Sequence, residues 1–178
     1  MTGVARYSAV ERLRDGRQIE ICALKPADED DMLAAIGRIG PQSLYRRFFG
    51  AKKHFSESEK SFFLNVDFAD HVALVAVTEE GSRRFIVGGG RYVVVRPGTA
   101  ELAFAVIDEY QGRGIGATLL RHLVLLARNA GIKELVAEVL PQNVPMLKVF
   151  QNSGLAMRTT HREGVVDVTL SCNRELDQ

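Results

Sequence analysis

Hydrophobic and polar residues alternate in several short stretches of the chain, which is the pattern of half-buried β-strands. The alternation predicts a first strand over Gln18–Leu24, an antiparallel meander of three strands, and three further strands towards the C-terminus. The meander covers His71–Thr78, Arg84–Val95 and Thr99–Ile107, and the later strands cover Lys133–Leu140, Leu155–Arg162 and Val165–Cys172.

Apolar residues at intervals of three and four predict helices between these strands. The longest predicted helix is Gly114–Ala130, which Gly131 ends, and shorter helices are expected around Met32–Ile39, over Ser43–Phe49 and over Val144–Asn152. A Ser-x-x-Glu capping box at Ser56 predicts one more. The order of elements predicts a mixed α/β (α+β) domain with one largely antiparallel sheet flanked by helices.

The composition fits one globular domain, with 46% apolar and 25% charged residues in a chain of 178. We expect residues 1–15 to form a polar N-terminal arm and residues 16–178 to form the single domain. Lys and Arg number 23 against 22 for Asp and Glu, which argues against broad nucleic-acid binding. No apolar run reaches membrane-spanning length, and no signal-peptide segment is visible.

The two cysteines, Cys22 and Cys172, lie in apolar stretches without a CxxC pair. We therefore expect two buried thiols, no metal site and a cytoplasmic location. A triple glycine, Gly88–Gly90, lies inside a predicted strand and indicates a β-bulge.

The strongest chemical signal is the segment Gln-Gly-Arg-Gly-Ile-Gly at residues 111–116, between a strand and the longest helix. Glycines let the backbone turn tightly and expose successive N–H groups. Those groups and the positive end of the following helix form an anion site. The segment therefore predicts a phosphate cradle that needs no metal, and the alternative is a glycine-rich turn without a ligand.

A dinucleotide site must also be considered, because Gly112-x-Gly114-x-x-Ala117 matches the G-x-G-x-x-G/A fingerprint. Glu134 or Glu138 would then be the acidic residue for the ribose. The strands before the loop look antiparallel, however, and the chain after it is too short for a second mononucleotide-binding half. A P-loop is excluded, since no Lys-Ser/Thr pair follows the glycines.

The glycine segment and its surroundings resemble the GNAT superfamily of N-acetyltransferases. The strand Glu101–Ile107 is similar to the family's central strand, and residues 18–172 resemble its fold. The motif residues are Val106-x-x-x-x-Gln111-Gly112-x-Gly114-x-Gly116 and, further on, Asn143-x-x-Met146-x-x-x-Phe150-x-x-x-Gly154-Leu155. A narrower resemblance, carried by Asp15-Gly16, Ser43–Phe49 and Val66–Ala76, is to the catalytic domain of bacterial protein lysine acetyltransferases.

The GNAT resemblance implies acetyl-CoA as the donor substrate, with no metal. It implies that backbone N–H groups of Gln111, Gly112, Arg113, Gly114, Ile115 and Gly116 hold the pyrophosphate. The main chain at Phe104, Ala105 and Val106 would pair with the pantetheine like an added strand. Asn143, which is also a plausible N-cap, would hydrogen-bond the pantetheine arm. The thioester would lie between the strands that begin at Thr99 and Lys133.

Glu101 is our candidate general base, because an amine must lose a proton before it attacks a thioester. The alternative is an ordinary exposed strand residue. Many family members donate a proton to the thiolate from a tyrosine at the position of Phe150. A phenyl ring cannot do so, and the proton must come from water or elsewhere.

Three functions remain open from the sequence: acetylation of a protein lysine, acetylation of a small amine, and a non-catalytic CoA-binding module. An accessible cleft at Glu101 would favour the two enzymes. We expect neither a nucleic-acid nor a membrane partner, and the sequence leaves a homodimer open.

Overall fold

A computed structural model describes residues 3–48 and 55–173. Eight strands and five α-helices alternate much as the sequence predicts. The strands are β1 (Ser8–Arg12), β2 (Gln18–Ala23), β3 (His71–Glu80), β4 (Arg83–Arg96), β5 (Thr99–Val106), β6 (Glu134–Val139), β7 (Met157–Arg162) and β8 (Val165–Ser171). The helices are α1 (Glu29–Gly37), α2 (Pro41–Phe48), α3 (Glu57–Leu64), α4 (Ile115–Asn129) and α5 (Val144–Gln151).

The strands form one sheet in the order β1-β2-β3-β4-β5-β6-β8-β7. Every pair is antiparallel except β5–β6, which is parallel. The predicted fold class and the antiparallel β3–β5 meander are therefore confirmed. The predicted helix Ser43–Phe49 corresponds to α2, although Phe49 lies outside the described residues.

The N-terminal segment departs from our expectation of an arm that precedes the domain. Ser8–Arg12 is the edge strand β1 and pairs with β2 along its whole length. The Glu11 carboxylate accepts a hydrogen bond from Nε2 of His122 on α4 at 2.7 Å. Alternation predicted no strand here because the side chains of β1 are exposed or half-buried, so an apolar face is not needed.

The bulge expected at the triple glycine lies at its N-terminal end. The β3–β4 register shifts between the pairs Ala76–Gly88 and Val77–Ile86. A Cβ atom at Gly90 would lie 2.8 Å from the ring of Phe104, so this glycine lets the β5 side chain pack against β4. Cys22 and Cys172 are free and buried, and burial raises the pKa of both thiols.

Strands β5 and β6 pair over three residues only, from Thr99–Glu134 to Glu101–Val136. Beyond Glu101, β5 runs on to Val106 and β6 to Val139, with no pairing between them in the described residues. The sheet therefore splits at Glu101, and the main chain of β5 is left as an edge inside the split. No helix among residues 3–48 and 55–173 is long and apolar enough to cross a membrane.

Candidate active site

The glycine loop joins the end of β5 to the start of α4. Gly112 and Gly114 have φ angles of 75° and 90°, which residues other than glycine rarely adopt. Gly114 is the N-cap of α4, and the apolar stripe of that helix, with Ile115, Leu119 and Leu123 buried, holds the helix against the sheet. The positive end of a 15-residue helix is thereby fixed beside the loop.

A groove of about 420 Å³ runs from this loop along the split in the sheet. Its walls come from β5, the glycine loop, α5 and α2. The predicted cofactor residues that line it are Phe104, Ala105, Val106, Gln111, Gly112, Gly114, Ile115, Gly116 and Asn143. The structure thus brings three separate sequence motifs to one surface.

Two side chains of the loop turn to protein partners. Gln111 donates through Nε2 to the carbonyl of Val106 at 3.0 Å and to Oγ of Ser43 at 3.0 Å. Arg113 reaches the Asp15 carboxylate at 3.3 Å and lies over the Tyr110 ring, 4.6 Å from its centroid. These contacts hold the two side chains against other parts of the protein, while Gln111, Gly112 and Gly114 line the groove.

Asn143 is the N-cap of α5, as one of our two interpretations predicted. Its Oδ1 accepts a hydrogen bond from the backbone N–H of Met146 at 3.4 Å. Among the described residues its Nδ2 has no hydrogen-bond partner, and the side chain lines the groove. A second role towards a ligand is therefore compatible with capping.

Glu101 is exposed and lies where β5 and β6 part, in a small cavity that adjoins the groove. Both Arg46 and Arg47 of α2 line this cavity. Burial lowers the pKa of Arg47, and the negative charge of Glu101 acts in the opposite direction. An accessible carboxylate in an open cleft favours an enzyme over a non-catalytic module.

Phe150 is 1% exposed and packs edge-on against Phe104, with ring centroids 6.2 Å apart. It lines the cavity of Glu101 rather than the main groove. Phe150 is therefore a buried packing residue in the wall of the Glu101 cavity. Its side chain has no group that could donate a proton.

Four basic residues line the groove, and our sequence analysis assigned a site role to none of them. Arg14, in the β1–β2 turn, places Nε 3.7 Å from the position that a Cβ of Gly114 would take. Arg46 and Arg47 of α2 and Lys148 of α5 also line the groove. Nε of Arg46 is buried without a hydrogen-bond partner in the described structure. No local sequence motif predicts that these residues lie in the site, because they come from segments that are far apart in the sequence.

Within the described ranges, no three His, Cys, Asp or Glu side chains are grouped so that they could hold a metal ion. The site consists of backbone donors, basic side chains, one accessible carboxylate and an edge of sheet. Such a set can bind a phosphorylated ligand by hydrogen bonds and charge.

The split sheet and the glycine loop at the start of α4 fit an acetyltransferase that uses acetyl-CoA. Residues 41–155 match the sequence profile of the Acetyltransferase (GNAT) family, which is more than half of the chain. The protein therefore belongs to the GNAT acetyltransferase family.

Relatives of known name agree with this assignment. An acetyltransferase of Pseudomonas aeruginosa is 33% identical over 71% of this chain and 68% of its own length. Acetyltransferase Pat of Mycolicibacterium smegmatis is 33% identical over 80% of this chain, although the match spans only 43% of that longer protein. The GNAT domain of S. lividans PAT is a solved structure with a TM-score of 0.84 and 31% identity, over 92% of this chain and 96% of that domain.

These matches confirm the resemblance to bacterial protein lysine acetyltransferases. A structure of yncA from Salmonella typhimurium, described with its cofactor acetyl-CoA, shares the fold at 19% identity and a TM-score of 0.67.

Proposed function

We propose that this protein transfers the acetyl group of acetyl-CoA to the side-chain amine of a protein lysine. The observation that carries the proposal is that the groove at the glycine loop and the cavity of the accessible Glu101 carboxylate share Phe104 and Asn143 in their walls, where β5 and β6 part. The likeness to Pat and to the PAT domain supports a lysine as the acceptor. Two free, buried thiols fit a reducing compartment such as the cytoplasm.

The donor would be held mainly by the main chain. Backbone N–H groups of residues 111–116 and the N-terminus of α4 would bind the pyrophosphate without a metal. Arg14 and Lys148 would add positive charge at the rim of the groove. The unpaired edge at Phe104–Val106 would receive the pantetheine amides like an added strand. Nδ2 of Asn143 would donate to the pantetheine from the other wall.

The chemical step begins with an ammonium ion. A lysine with a pKa near 10.4 costs about 4.6 kcal/mol to deprotonate at pH 7. Glu101 would accept that proton, directly or through water. The free amine nitrogen then attacks the thioester carbon, and the nitrogen of the resulting tetrahedral adduct loses a second proton to solvent. The carbon–sulfur bond breaks, the amide forms, and CoA leaves as a thiolate. Phe150 cannot protonate this thiolate, so solvent supplies the proton. A thiol with an ordinary pKa near 8.5 is a good enough leaving group to depart as the thiolate before it is protonated.

A small-molecule amine is the second candidate acceptor. A narrow cavity of about 90 Å³ opens beside β5 on the face that carries α1 and α2, and it would suit a small molecule better than a folded protein surface. The two candidates differ in the acceptor alone, because the donor site and Glu101 serve both.

Labelled acetyl-CoA offered in parallel to lysine peptides and to a panel of small amines tests the proposal. We expect label on the lysine peptides, at a rate that depends on Glu101. Transfer to small amines alone would establish the second candidate. CoA binding without transfer to any acceptor would refute acetyl transfer.

A further inference from the structure

A group of polar and charged side chains lies on the sheet face that packs against α1, α2 and α3, and the steps above do not use it. At its centre is Arg91 of β4. Its guanidinium Nη1 donates to Nε2 of His71 at 2.9 Å and to the carbonyl of Phe63 at 3.2 Å. The guanidinium also lies over the Phe63 ring, 5.0 Å from its centroid. Arg91 is therefore held in one orientation from two sides.

The surroundings of Arg91 are apolar. Arg91 lines the cavity of about 90 Å³ beside β5, together with side chains from α1, the core strands and Arg47. Burial lowers the pKa of Arg91 to about 10, with a further contribution from the positive charge of Arg47. In the described part of the chain no carboxylate forms an ion pair with Arg91.

The nearby acidic groups have other partners. The Asp67 carboxylate accepts three backbone N–H groups, from Ala69, Asp70 and His71, at 2.8 to 2.9 Å. The Glu101 charge acts on Arg47. Neither carboxylate neutralises Arg91, and a cation in an apolar cavity is stabilised strongly when an anion reaches it.

His71 positions Arg91 without adding to its charge. Burial is the main reason that the pKa of His71 is lowered to about 4, followed by the positive charge of Arg91. A neutral ring can accept the hydrogen bond from Arg91 at Nε2, which a protonated ring cannot.

The cavity of Arg91 opens towards the proposed reaction centre. It shares Arg47 and Phe104 with both the main groove and the cavity of Glu101. Ala103 lies beside Arg91 in the β4–β5 register, two residues beyond Glu101 on the same face of the strand. A group that enters this cavity therefore lies near an amine placed at Glu101.

We propose that Arg91, with Arg47 beside it, forms an anion subsite that binds a carboxylate carried by the acceptor close to the amine that is acetylated. The inference rests on the proposed acetyl transfer and specifies its acceptor. The carboxylate has two sources with the same chemistry: an acidic side chain next to the lysine of a protein, or the carboxylate of a small amino acid. The alternative role for Arg91 is to hold the carbonyl of Phe63 and thereby α3.

Matched acceptors separate these roles. One pair is a peptide with Lys-Glu and the same peptide with Lys-Gln, and the other pair is 4-aminobutyrate and butylamine. In the pair that is acetylated, we expect the carboxylate member to have a KM about tenfold to hundredfold lower than its uncharged partner. This range corresponds to the binding free energy of one hydrogen bond to a charged group. The pair that responds identifies the source of the carboxylate.

Two variants of β4 carry the test. Arg91→Gln should remove the preference for the carboxylate member of the pair. Arg84→Gln is the matched control, because Arg84 lies on the same strand and pairs with Glu20 at 2.8 Å, away from the cavity. Arg84→Gln should keep the preference. Equal KM values within both pairs for the wild type would overturn the subsite. So would an Arg91→Gln variant whose kcat/KM falls by the same factor on every acceptor.

Butyrate binding tests the subsite without turnover. With CoA present, butyrate should raise the melting temperature of the wild type and of Arg84→Gln, but not that of Arg91→Gln. A protein that shows this shift yet acetylates nothing would retain the subsite and lose the proposed function. A protein that acetylates amines without the shift and without the carboxylate preference would retain the function and lose the subsite.

Discussion

Alanine at Gly114 tests whether the glycine loop is the phosphate cradle, and the same helix supplies a matched control. Gly114 precedes α4 with a φ angle of 90°, and Gly131 follows it with a φ angle of 80°. An L-residue in this left-handed region costs roughly 1–2 kcal/mol. In a domain of this size, that cost lowers the melting temperature by about 2–8 °C. We expect Gly114→Ala and Gly131→Ala to be destabilised by similar amounts.

Only Gly114→Ala should lower the affinity for CoA. Its new methyl group would lie 3.7 Å from Nε of Arg14 inside the groove. At Gly131, no atom of the described residues other than its chain neighbours lies within 4 Å of the corresponding position. The strain would also turn the N–H groups of the first turn of α4 away from the phosphate. The loss of one charge-assisted hydrogen bond is about 1.5–3 kcal/mol, which weakens binding about 10- to 150-fold.

Calorimetric titration with CoA, in the presence of a chelator, measures this difference. Comparable melting temperatures show that the two variants are equally folded. If both variants bind CoA like the wild type, the loop is a structural turn and the phosphates bind elsewhere.

Three further changes test the reaction centre and its surroundings. Glu101→Gln should leave CoA affinity intact and lower kcat/KM about 10²–10⁴-fold, the range for a general base; near-normal activity at neutral pH would contradict that role. Phe150→Tyr should change kcat less than about tenfold, and a large gain in steady-state assays would mean that thiolate protonation limits the wild type. The depressed pKa of His71, about 4 against a usual 6.5, means that the unfolded chain binds a proton more readily than the folded one between those values. Denaturant titrations should therefore show an unfolding free energy that increases from pH 4 to pH 6.5, by up to about 3 kcal/mol, and a smaller increase in His71→Gln.

Much of the fold could be predicted because its elements have strong hydrophobic periodicity. The stripe of α4 and the apolar run of β3 are buried in the structure, the apolar residues of β4 and β5 are mostly buried or half-buried, and all four elements lie within a few residues of their predicted bounds. The glycine loop was visible because two of its glycines occupy backbone conformations that few other residues adopt. The capping side chain of Asn143 follows the same local rules.

Features that depend on long-range contacts could not be predicted in this way. Strand β1 is stabilised by its pairing with β2 and by Glu11 against His122, neither of which requires an apolar pattern. Arg14 and Gly114 are far apart in the sequence, and their approach follows from that pairing. Arg91 belongs to no sequence motif. Its contact with α3 and its place in the apolar cavity depend on the tertiary structure and could not be predicted from the sequence.

The position of Glu101 connects the fold to the proposed reaction through strand register. Glu101 pairs with Val93 on one side and with Val136 on the other, and it is the last residue of β5 that pairs with β6. Successive side chains of a strand point to opposite faces, so a slip of one residue would move Glu101 to the face covered by α4. The β4–β5 register, which leaves Gly90 opposite Phe104 at a distance that no Cβ would allow, opposes such a slip. The small residues of β4 therefore fix which side of the sheet carries the carboxylate, and with it the face from which an acceptor amine would approach the thioester.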